Sequence, residues 1–383
     1  MGASKRYDDF TGKNVRRIVG CMTGTSLDGL DVALIEVTGR GLGISVKFLR
    51  GLSYPLGETG EILKSFASGE ALTAAQITAV NRDFALLHAG AAKELLAGEQ
   101  ADLIAVHGQT LFHQPPLSWQ LFNPAVLTVE TGIPVMSDFR SLDLARGGEG
   151  APITPLSDFI SFRNKDHDRV VVNFGGFINL THLPKSPNPT NGDDRGLQVW
   201  LDQVTGRDVC VCNQLLDRAA MVMLGKPCDI DGECGLSGKS DPTVEAALVR
   251  DLRRQAVSGK SLGNADDLFT TLSKVSITLS PADLLRTVSA SIATILAENL
   301  GVGEYDLLVA GGGIHNRCLI EEVAGRCEKK PQLTDGFGIP VSYREAVAMA
   351  TLSVLALDGI PTTLPQVTGA PAGSGPGVML GFY

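Results

Sequence analysis

Apolar and polar positions at the start of the chain predict three strands joined by short turns. An apolar run at 18–22 enters a turn of small and hydroxyl-bearing residues, and Val32, Leu34 and Ile35 carry the apolar side of the run that leaves it. This pattern indicates a β-hairpin. Because residues 44–54 are typical of a further strand, we expect the chain to begin with a meander.

In the rest of the first half, the spacing of the apolar residues predicts mainly helices. Apolar residues recur at helical intervals over 58–67 and 73–96, whereas 102–106 has the pattern of a short buried strand. Residues 128–136 are predicted to form a turn and a strand.

The pattern restarts near residue 150. Strands are predicted at 169–173, 177–182, 197–205 and 305–310. Helices are predicted at 155–162, 213–223, 244–255, 281–300 (with Ser280 as a cap), 317–327 and 343–357. Because this order echoes the first half, we expect a duplicated α/β unit, with domains at 14–148 and 149–383 and a ligand-binding cleft between them.

Composition narrows the function classes. A net charge of −9 excludes a general nucleic-acid binder, which needs a basic face. No apolar run is long enough to span a bilayer, and residues 1–14 are predicted to be a disordered tail without a signal-peptide core. Seven cysteines without regular spacing favour reduced thiols in the cytoplasm. A metal site at Cys210, Cys212, Cys228 and Cys234 is disfavoured by their spacing, and metal ligands stay unknown.

Two glycine-containing turns are candidates for binding anions. The turn at 24–29 offers backbone N–H groups and the Thr25 and Ser26 hydroxyls to phosphate oxygens, although an ordinary tight hairpin explains it equally well. Gly311–Gly313 follow a predicted strand directly and could admit a ligand close to the backbone; the alternative is a tight strand-to-helix turn. The stretch 232–240 resembles a P-loop, but its spacing is wrong by one residue, and it is interpreted as a flexible loop.

Polar residues at predicted strand ends are the other candidates. His107 follows the strand at 102–106, where open α/β sheets place ligand contacts, or it is a satisfied structural histidine. The segment 137–152 carries charged residues ahead of a Gly-Gly-Glu-Gly break at 147–150. This combination fits a ligand-facing loop, a hinge or a solvated loop. Asp208 is expected after the strand at 197–205, either as a general base or as a surface carboxylate.

Six stretches, in order, resemble the anhydro-N-acetylmuramic acid kinase family: GTSLDGLDVAL, HGQTLFHQP, SDFR with GGEGAP, NFGGFINLT, GGGIHN and LPQVTGA. The similarity covers residues 17–372. It implies an α/β fold of two duplicated actin-like (ribonuclease H-like) domains with a central cleft. It also implies an enzyme that uses ATP and Mg²⁺ to open the 1,6-anhydro bridge of 1,6-anhydro-N-acetylmuramic acid and phosphorylate O6. The product, N-acetylmuramic acid 6-phosphate, returns cell-wall sugar to metabolism.

The resemblance also implies residue roles. The ATP phosphates are expected at the opening turn, with Asp28 near Mg²⁺: Gly24, Thr25, Ser26, Leu27, Asp28 and Gly29. The adenosine side is expected at Gly311, Gly312, Gly313 and Asn316. The sugar is expected at His107, Gln109, Arg140 and Glu345. Asp208 aligns with the catalytic base, which activates water to attack the anomeric carbon while O6 attacks the γ-phosphate.

Two departures from the family pattern affect this expectation. The family usually has GFDTGPGN around the aspartate, whereas residues 206–213 are GRDVCVCN. Because β-branched valine disfavours positive φ, either this loop takes another shape with activity kept, or ATP binding is weakened. Glu149 replaces a common glutamine and adds negative charge to the expected cleft wall.

The leading hypothesis is therefore a cytoplasmic ATP-dependent anhydrosugar kinase. The alternative is a member of the same fold that is catalytically impaired or differently specific. It would bind a nucleotide or an anhydrosugar, such as a levoglucosan-like substrate. A chaperone-like ATPase of the same superfamily is disfavoured because no peptide-binding domain follows. The expected partners are an anhydrosugar and ATP, and a homodimer stays open.

Overall fold

The computed structural model describes residues 10, 12–187, 194–257, 272, 278–301 and 303–381. Most of the tail predicted at 1–14 lies outside this set, and so does part of the Pro- and Asn-rich stretch at 184–196. None of the helices in the described ranges is both long and apolar enough to cross a membrane.

The regular elements follow the predicted order. The strands are β1 Val15–Thr23, β2 Leu30–Thr38, β3 Ser45–Tyr54, β4 Leu103–Val106, β5 Gln109–Gln114, β6 Leu117–Leu121, β7 Val135–Ser137, β8 Asp168–Phe174, β9 Phe177–Leu183, β10 Thr205–Val211, β11 Tyr305–Ala310, β12 Gln332–Leu333 and β13 Val378–Leu380. The helices are α1 Gly57–Ala67, α2 Ala74–Leu96, α3 Pro124–Thr131, α4 Ser141–Ala145, α5 Pro155–Phe162, α6 Asp194–Leu201, α7 Asn213–Leu224, α8 Glu233–Leu236, α9 Pro242–Val257, α10 Pro281–Leu300, α11 Arg317–Cys327, α12 Arg344–Leu357 and α13 Pro365–Thr368.

The described residues group into two compact units. The first draws on Met1–Asp166, Leu183–Thr205 and Phe337–Tyr383, and the second on His167–His182 and Gly206–Gly336. This grouping differs from the boundary predicted between residues 148 and 149, because the C-terminal residues belong with the N-terminal unit.

The first unit is built on a six-stranded sheet with the order β13-β7-β4-β1-β2-β3. The first three strands are antiparallel neighbours, with Thr23 opposite Leu30 at the hairpin end, which confirms the predicted meander. β4 runs parallel to β1, and β7 runs parallel to β4. β1 contributes Ile18, Val19 and Cys21 to the interior, all fully buried.

The second unit repeats this arrangement. Its sheet has the order β10-β9-β8-β11-β12, in which β8 and β9 are joined by the two-residue turn Gly175-Gly176 and β11 runs parallel to both β8 and β12. Two hairpin strands at one side and parallel strands at the other thus occur in both sheets. The predicted α/β class and its duplication are confirmed.

Three local predictions are wrong in part or in whole. The strand predicted within 128–136 is present as β7, but residues 128–131, predicted as a turn, are the second half of α3. Asn123 caps that helix by accepting from the Val126 N–H, and Pro124 is its first residue. Residues 197–201 belong to α6, so the third strand of the second sheet is β10 instead. The stretch at 232–240, interpreted as a loop, contains the single-turn helix α8.

Candidate active site

The turn at 24–29 is closed by a hydrogen bond from the Leu27 N–H to the Gly24 carbonyl, at 3.2 Å. Leu27 has a φ of +53° and is 2% exposed, so its side chain anchors the turn in the core despite a backbone conformation that L-residues disfavour. The residues left exposed or partly exposed are Gly24, Thr25, Ser26, Asp28 and Gly29. The turn therefore presents hydroxyls, backbone and one carboxylate on an anchored base.

His107 is a buried acceptor for Arg140. Arg140 Nε donates to His107 Nε2 at 3.1 Å, so the ring proton lies on Nδ1, which donates to the Gly108 carbonyl at 2.8 Å. Burial, aided by the Arg140 charge, lowers the pKa of His107 to about 3. Gly108 has a φ of +82°, a conformation that suits glycine. His107 is thus neutral at physiological pH and orients the guanidinium.

A second set of contacts fixes Arg140 from its own loop. Asp138 has a φ of +60°, and its Oδ1 accepts from the N–H groups of Arg140 and Ser141, at 3.3 and 2.9 Å. Arg140 Nη1 donates to the Gly150 carbonyl at 2.7 Å. The guanidinium is therefore oriented by partners on both sides.

Gln109 carries an unsatisfied buried acceptor. It is 1% exposed, its Nε2 donates to the Thr110 carbonyl at 3.2 Å, and its Oε1 has no hydrogen-bond partner among the described residues. Because leaving such an oxygen unpaired costs about 1–3 kcal/mol, it suits a ligand donor such as a sugar hydroxyl. His113, on the same strand, contacts Ser118 Oγ at 3.0 Å, and burial together with Arg140 lowers its pKa to about 4.

Glu345 lies in the first turn of α12 and is partly exposed. Desolvation raises the pKa of its carboxyl, opposed by the charges of Arg344 and Arg140 and aided by Asp31. Arg344 is itself buried and paired with Asp158, with its Nε 3.1 Å from Oδ1. The carboxyl therefore lies among charges of both signs.

Two glycines allow α12 to approach the sheet closely. A Cβ on Gly20 of β1 would lie 1.9 Å from the Ala346 carbonyl oxygen, and one on Gly51 of β3 would lie 2.6 Å from the Tyr343 ring. A side chain at Gly20 would displace the helix backbone, and one at Gly51 would displace the Tyr343 ring, which directly precedes the helix. The sheet thereby sets the position of Glu345.

Asp208 lies within β10 rather than after a strand, because the preceding strand was predicted where α6 stands. Its carboxylate is partly exposed, and Asn179 Nδ2 of β9, the neighbouring strand, donates to its Oδ1. This hydrogen bond fixes the orientation of the carboxylate. Asp208 is thus a positioned carboxylate, which a general base requires.

The residues that depart from the family pattern form the buried end of β10 and the N-cap of α7. Val209, Cys210, Val211 and Cys212 are fully buried in the core of the second unit, and none of these four described residues has a positive φ. The Cys212 N–H donates to the Gly176 carbonyl at 2.8 Å. The steric conflict expected for valine at positive φ therefore does not arise at residues 209–212.

The triple glycine has an internal packing function at two of its three positions. A Cβ on Gly311 would lie 2.8 Å from Asn173 Oδ1, and one on Gly313 would lie 2.8 Å from Asn213 Oδ1. Gly312 is exposed, and its Cβ would meet only the Asn213 amide, at 3.9 Å. Asn316 Oδ1 accepts from the Leu319 N–H and caps α11. Close approach of a ligand is therefore sterically open at Gly312.

Cys210 and Cys212 are fully buried thiols. Burial raises the pKa of Cys210 to about 12 and that of Cys212 well above its ordinary value, so both thiols stay protonated. Over the ranges that the structure describes, no group of three or more His, Cys, Asp or Glu side chains is arranged to hold a metal ion.

Sequence reasoning singled out His107, Gln109, Arg140 and Asp208 but not the side chains that contact them. Asn179 lies in NFGGFINLT and His113 in HGQTLFHQP, both of which were singled out as motifs. The alternation of apolar and polar residues along β9 could have placed Asn179 on the polar face of the strand, where it contacts Asp208 of β10. The link from His107 to Arg140 spans 33 residues and has no local signal.

A family model and curated relatives match nearly the whole chain, and all carry the same name. The family model described as anhydro-N-acetylmuramic acid kinase matches residues 16–381. An anhydro-N-acetylmuramic acid kinase of Trichormus variabilis is 33% identical over 380 residues, covering 93% of this chain and 94% of that protein. The protein of the same name from Synechococcus elongatus is 34% identical over 383 residues, covering 95% and 98%. One from Vibrio parahaemolyticus is 32% identical over 375 residues, covering 92% and 95%.

Proposed function

The chain belongs to the anhydro-N-acetylmuramic acid kinase family, and we propose that its own residues perform the ATP-dependent opening and phosphorylation of 1,6-anhydro-N-acetylmuramic acid. The observation that carries this proposal is the family match, which includes every stretch that contributes a candidate site residue. The enzyme is a phosphotransferase, and the roles of individual residues below are proposals.

The opening turn is proposed to hold the phosphates of ATP, which supplies the γ-phosphoryl group. Its fit rests on open space at Gly24, where a Cβ would meet only Ser26 Oγ at 3.6 Å, and on the exposed Thr25 and Ser26 hydroxyls. The Asp28 carboxylate is the oxygen ligand that this turn would offer to Mg²⁺. Gly312 and Asn316 of the second unit would contact the adenosine side.

Sugar recognition is assigned to His107, Gln109, Arg140 and Glu345. Arg140 is a fixed donor, the unpaired Gln109 Oε1 is a fixed acceptor, and neutral His107 keeps Arg140 in orientation. Glu345 adds a carboxyl that burial desolvates and that lies near the Arg344 and Arg140 charges. This combination of donors and acceptors suits a polyhydroxylated ring with an acidic substituent.

Asp208 is proposed as the general base. Its carboxylate takes a proton from water as the water oxygen bonds to the anomeric carbon. The bond from that carbon to O6 breaks, O6 bonds to the γ-phosphorus, and the bond from that phosphorus to the bridging oxygen of ADP breaks. Asn179, which donates to Asp208, keeps the carboxylate oriented.

A second candidate is a member that binds nucleotide or sugar without turnover. It is favoured by one feature, the replacement of the family's glycines by the buried residues 209–212. A coupled ADP-release assay with and without the anhydrosugar separates the two. Sugar-dependent ADP supports the kinase, nucleotide binding without turnover supports the second candidate, and sugar-independent ADP release contradicts both.

We further propose that the reaction takes place in the cytoplasm. All seven cysteines lie in the described part of the chain, and all are unpaired thiols. Reduced thiols are typical of a reducing compartment, which is also where ATP is abundant. Fractionation of cells that produce the protein tests this assignment, and recovery in an oxidising compartment would contradict it.

A further inference from the structure

We propose that Thr368 and Asp143 are positioning residues for sugar recognition, acting through the loop that holds Arg140. The inference rests on the function proposed above for Arg140 and His107. It gives a role to the closing stretch LPQVTGA, which the catalytic proposal does not use.

Asp143 connects the closing stretch to the loop. It is fully buried, its Oδ1 accepts from Thr368 Oγ1 at 2.9 Å, and its Oδ2 accepts from the Gly150 N–H at 2.9 Å. Its backbone carbonyl also accepts from the Gly148 N–H at 3.0 Å. Because a buried carboxylate needs such donors, loss of either partner forces a rearrangement around it.

Gly150 connects Asp143 to Arg140 through its two backbone groups. Its N–H binds Asp143, and its carbonyl accepts from Arg140 Nη1 at 2.7 Å. Arg140 in turn donates from Nε to His107 Nε2 at 3.1 Å. A displacement of Asp143 would therefore move Gly150 and weaken the contact between its carbonyl and the Arg140 guanidinium.

The closing stretch supports the same loop through the backbone and through tight packing. The Glu149 N–H donates to the Thr368 carbonyl at 2.8 Å. A Cβ on Gly148 would lie 2.2 Å from Asp143 Oδ2 and 2.8 Å from Ala370 Cβ, so no side chain fits there. The loop is thus held along 148–150 rather than at a single atom.

The test removes one hydroxyl and keeps the shape. Thr368→Val deletes the donor to Asp143 Oδ1, and Thr368→Ser restores it. We expect the dissociation constant of the anhydrosugar in the full-length protein, measured by calorimetry, to rise about ten-fold in Thr368→Val, as for a lost hydrogen bond to a charged group. ATP affinity should stay within about two-fold, because the opening turn is not part of this network, and the serine variant should match the wild type.

A matched control separates positioning from a general loss of packing. Thr362 is 1% exposed, and its hydroxyl donates to the Ser374 carbonyl at 2.9 Å, outside the Asp143 network. Thr362→Val should keep sugar affinity even where it lowers the melting temperature. Equal losses of sugar affinity in Thr362→Val and Thr368→Val, or no loss in Thr368→Val, would overturn the positioning role.

Two further measurements keep this result independent of the proposed function. Nitrogen-15 NMR of His107 in Thr368→Val should show a perturbed imidazole resonance, and an unchanged resonance would contradict the link. If Arg140→Lys and His107→Gln leave sugar affinity unchanged, the proposed sugar site is wrong. If those two variants lose sugar affinity and Thr368→Val does not, the site stands and the positioning role fails.

Discussion

Substitution of Asp208 by asparagine tests the proposed base with little change in shape. Asp208 Oδ1 accepts from Asn179 Nδ2, and the amide oxygen of an asparagine at 208 can accept the same hydrogen bond. The side chain should therefore keep its place on β10. What it loses is the ability to take a proton from water.

The size of the effect follows from what each variant removes. General bases contribute roughly 10²- to 10⁴-fold, so Asp208→Asn should lower kcat at least about 10²-fold, equivalent to about 2.7 kcal/mol. Asn179→Ala keeps the base but removes one donor to its charged oxygen. Because Asp208 is partly exposed and water can replace that donor, we expect a loss of about ten-fold, near the low end for hydrogen bonds to charged groups.

The assay is sugar-dependent ADP release, with KM determined for both substrates. Asp202→Asn is a matched control, since Asp202 is an exposed carboxylate that also accepts from a side-chain amide, Gln198 Nε2, at 2.7 Å. It should retain wild-type kcat. An Asp208→Asn variant that is folded, binds both substrates and turns over as fast as the wild type would refute the assignment of the base.

Three further outcomes are expected from the structure. Ser26→Ala should weaken ATP binding more than sugar binding, and Gly24→Val should weaken it further by filling open space in the turn; unchanged nucleotide affinity in both would reduce the turn to an ordinary hairpin. Gly20→Ala should lower the free energy of unfolding, measured with urea, by about 1–3 kcal/mol or more, because its Cβ would overlap the Ala346 carbonyl; a wild-type midpoint would contradict this. The pKa of His107 in the folded protein is about 3, so between that value and its ordinary value of 6.5 only the unfolded chain binds the proton, and stability falls as the pH falls. His107→Gln should reduce the slope of the unfolding free energy against pH by about 1.4 kcal/mol per pH unit in this range. Equal slopes in the variant and the wild type would refute the buried neutral state.

The meander and the second hairpin were predictable because they are encoded locally. Strand alternation and turn residues lie within about 25 residues of each other, as in β1 and β2, and the helices at 281–300 and 317–327 carry complete apolar stripes. The error at 197–205 has a physical cause. Val199 and Trp200 favour strand by propensity, but Leu197 and Leu201, four residues apart, are the buried ones, and the segment forms one amphipathic helix.

The candidate site was only partly predictable, because its key interactions join residues far apart in the sequence. His107 contacts Arg140 across 33 residues, Asn179 contacts Asp208 across 29, and Thr368 contacts Asp143 across 225. Each of these polar residues has an ordinary local environment in the sequence. Their pairing depends on strand order and on how tightly the glycines let neighbouring elements approach.

At 209–212 the chain that follows Asp208, the proposed base, is apolar rather than rich in glycine. Asp208 and Asn213 stay in place, and Asn213 Nδ2 donates to the Phe174 carbonyl at 3.1 Å, so α7 still begins against the end of β8. Four apolar side chains between them are fully buried, and burial of a valine-sized side chain contributes roughly 1.5–3 kcal/mol. The chain thus gains core in the second unit where glycines would expose backbone. Buried side chains at 209–212 leave less backbone open to a ligand, so the replacement would weaken ligand binding there. The hydrogen bond from Asn179 orients Asp208 independently of this stretch.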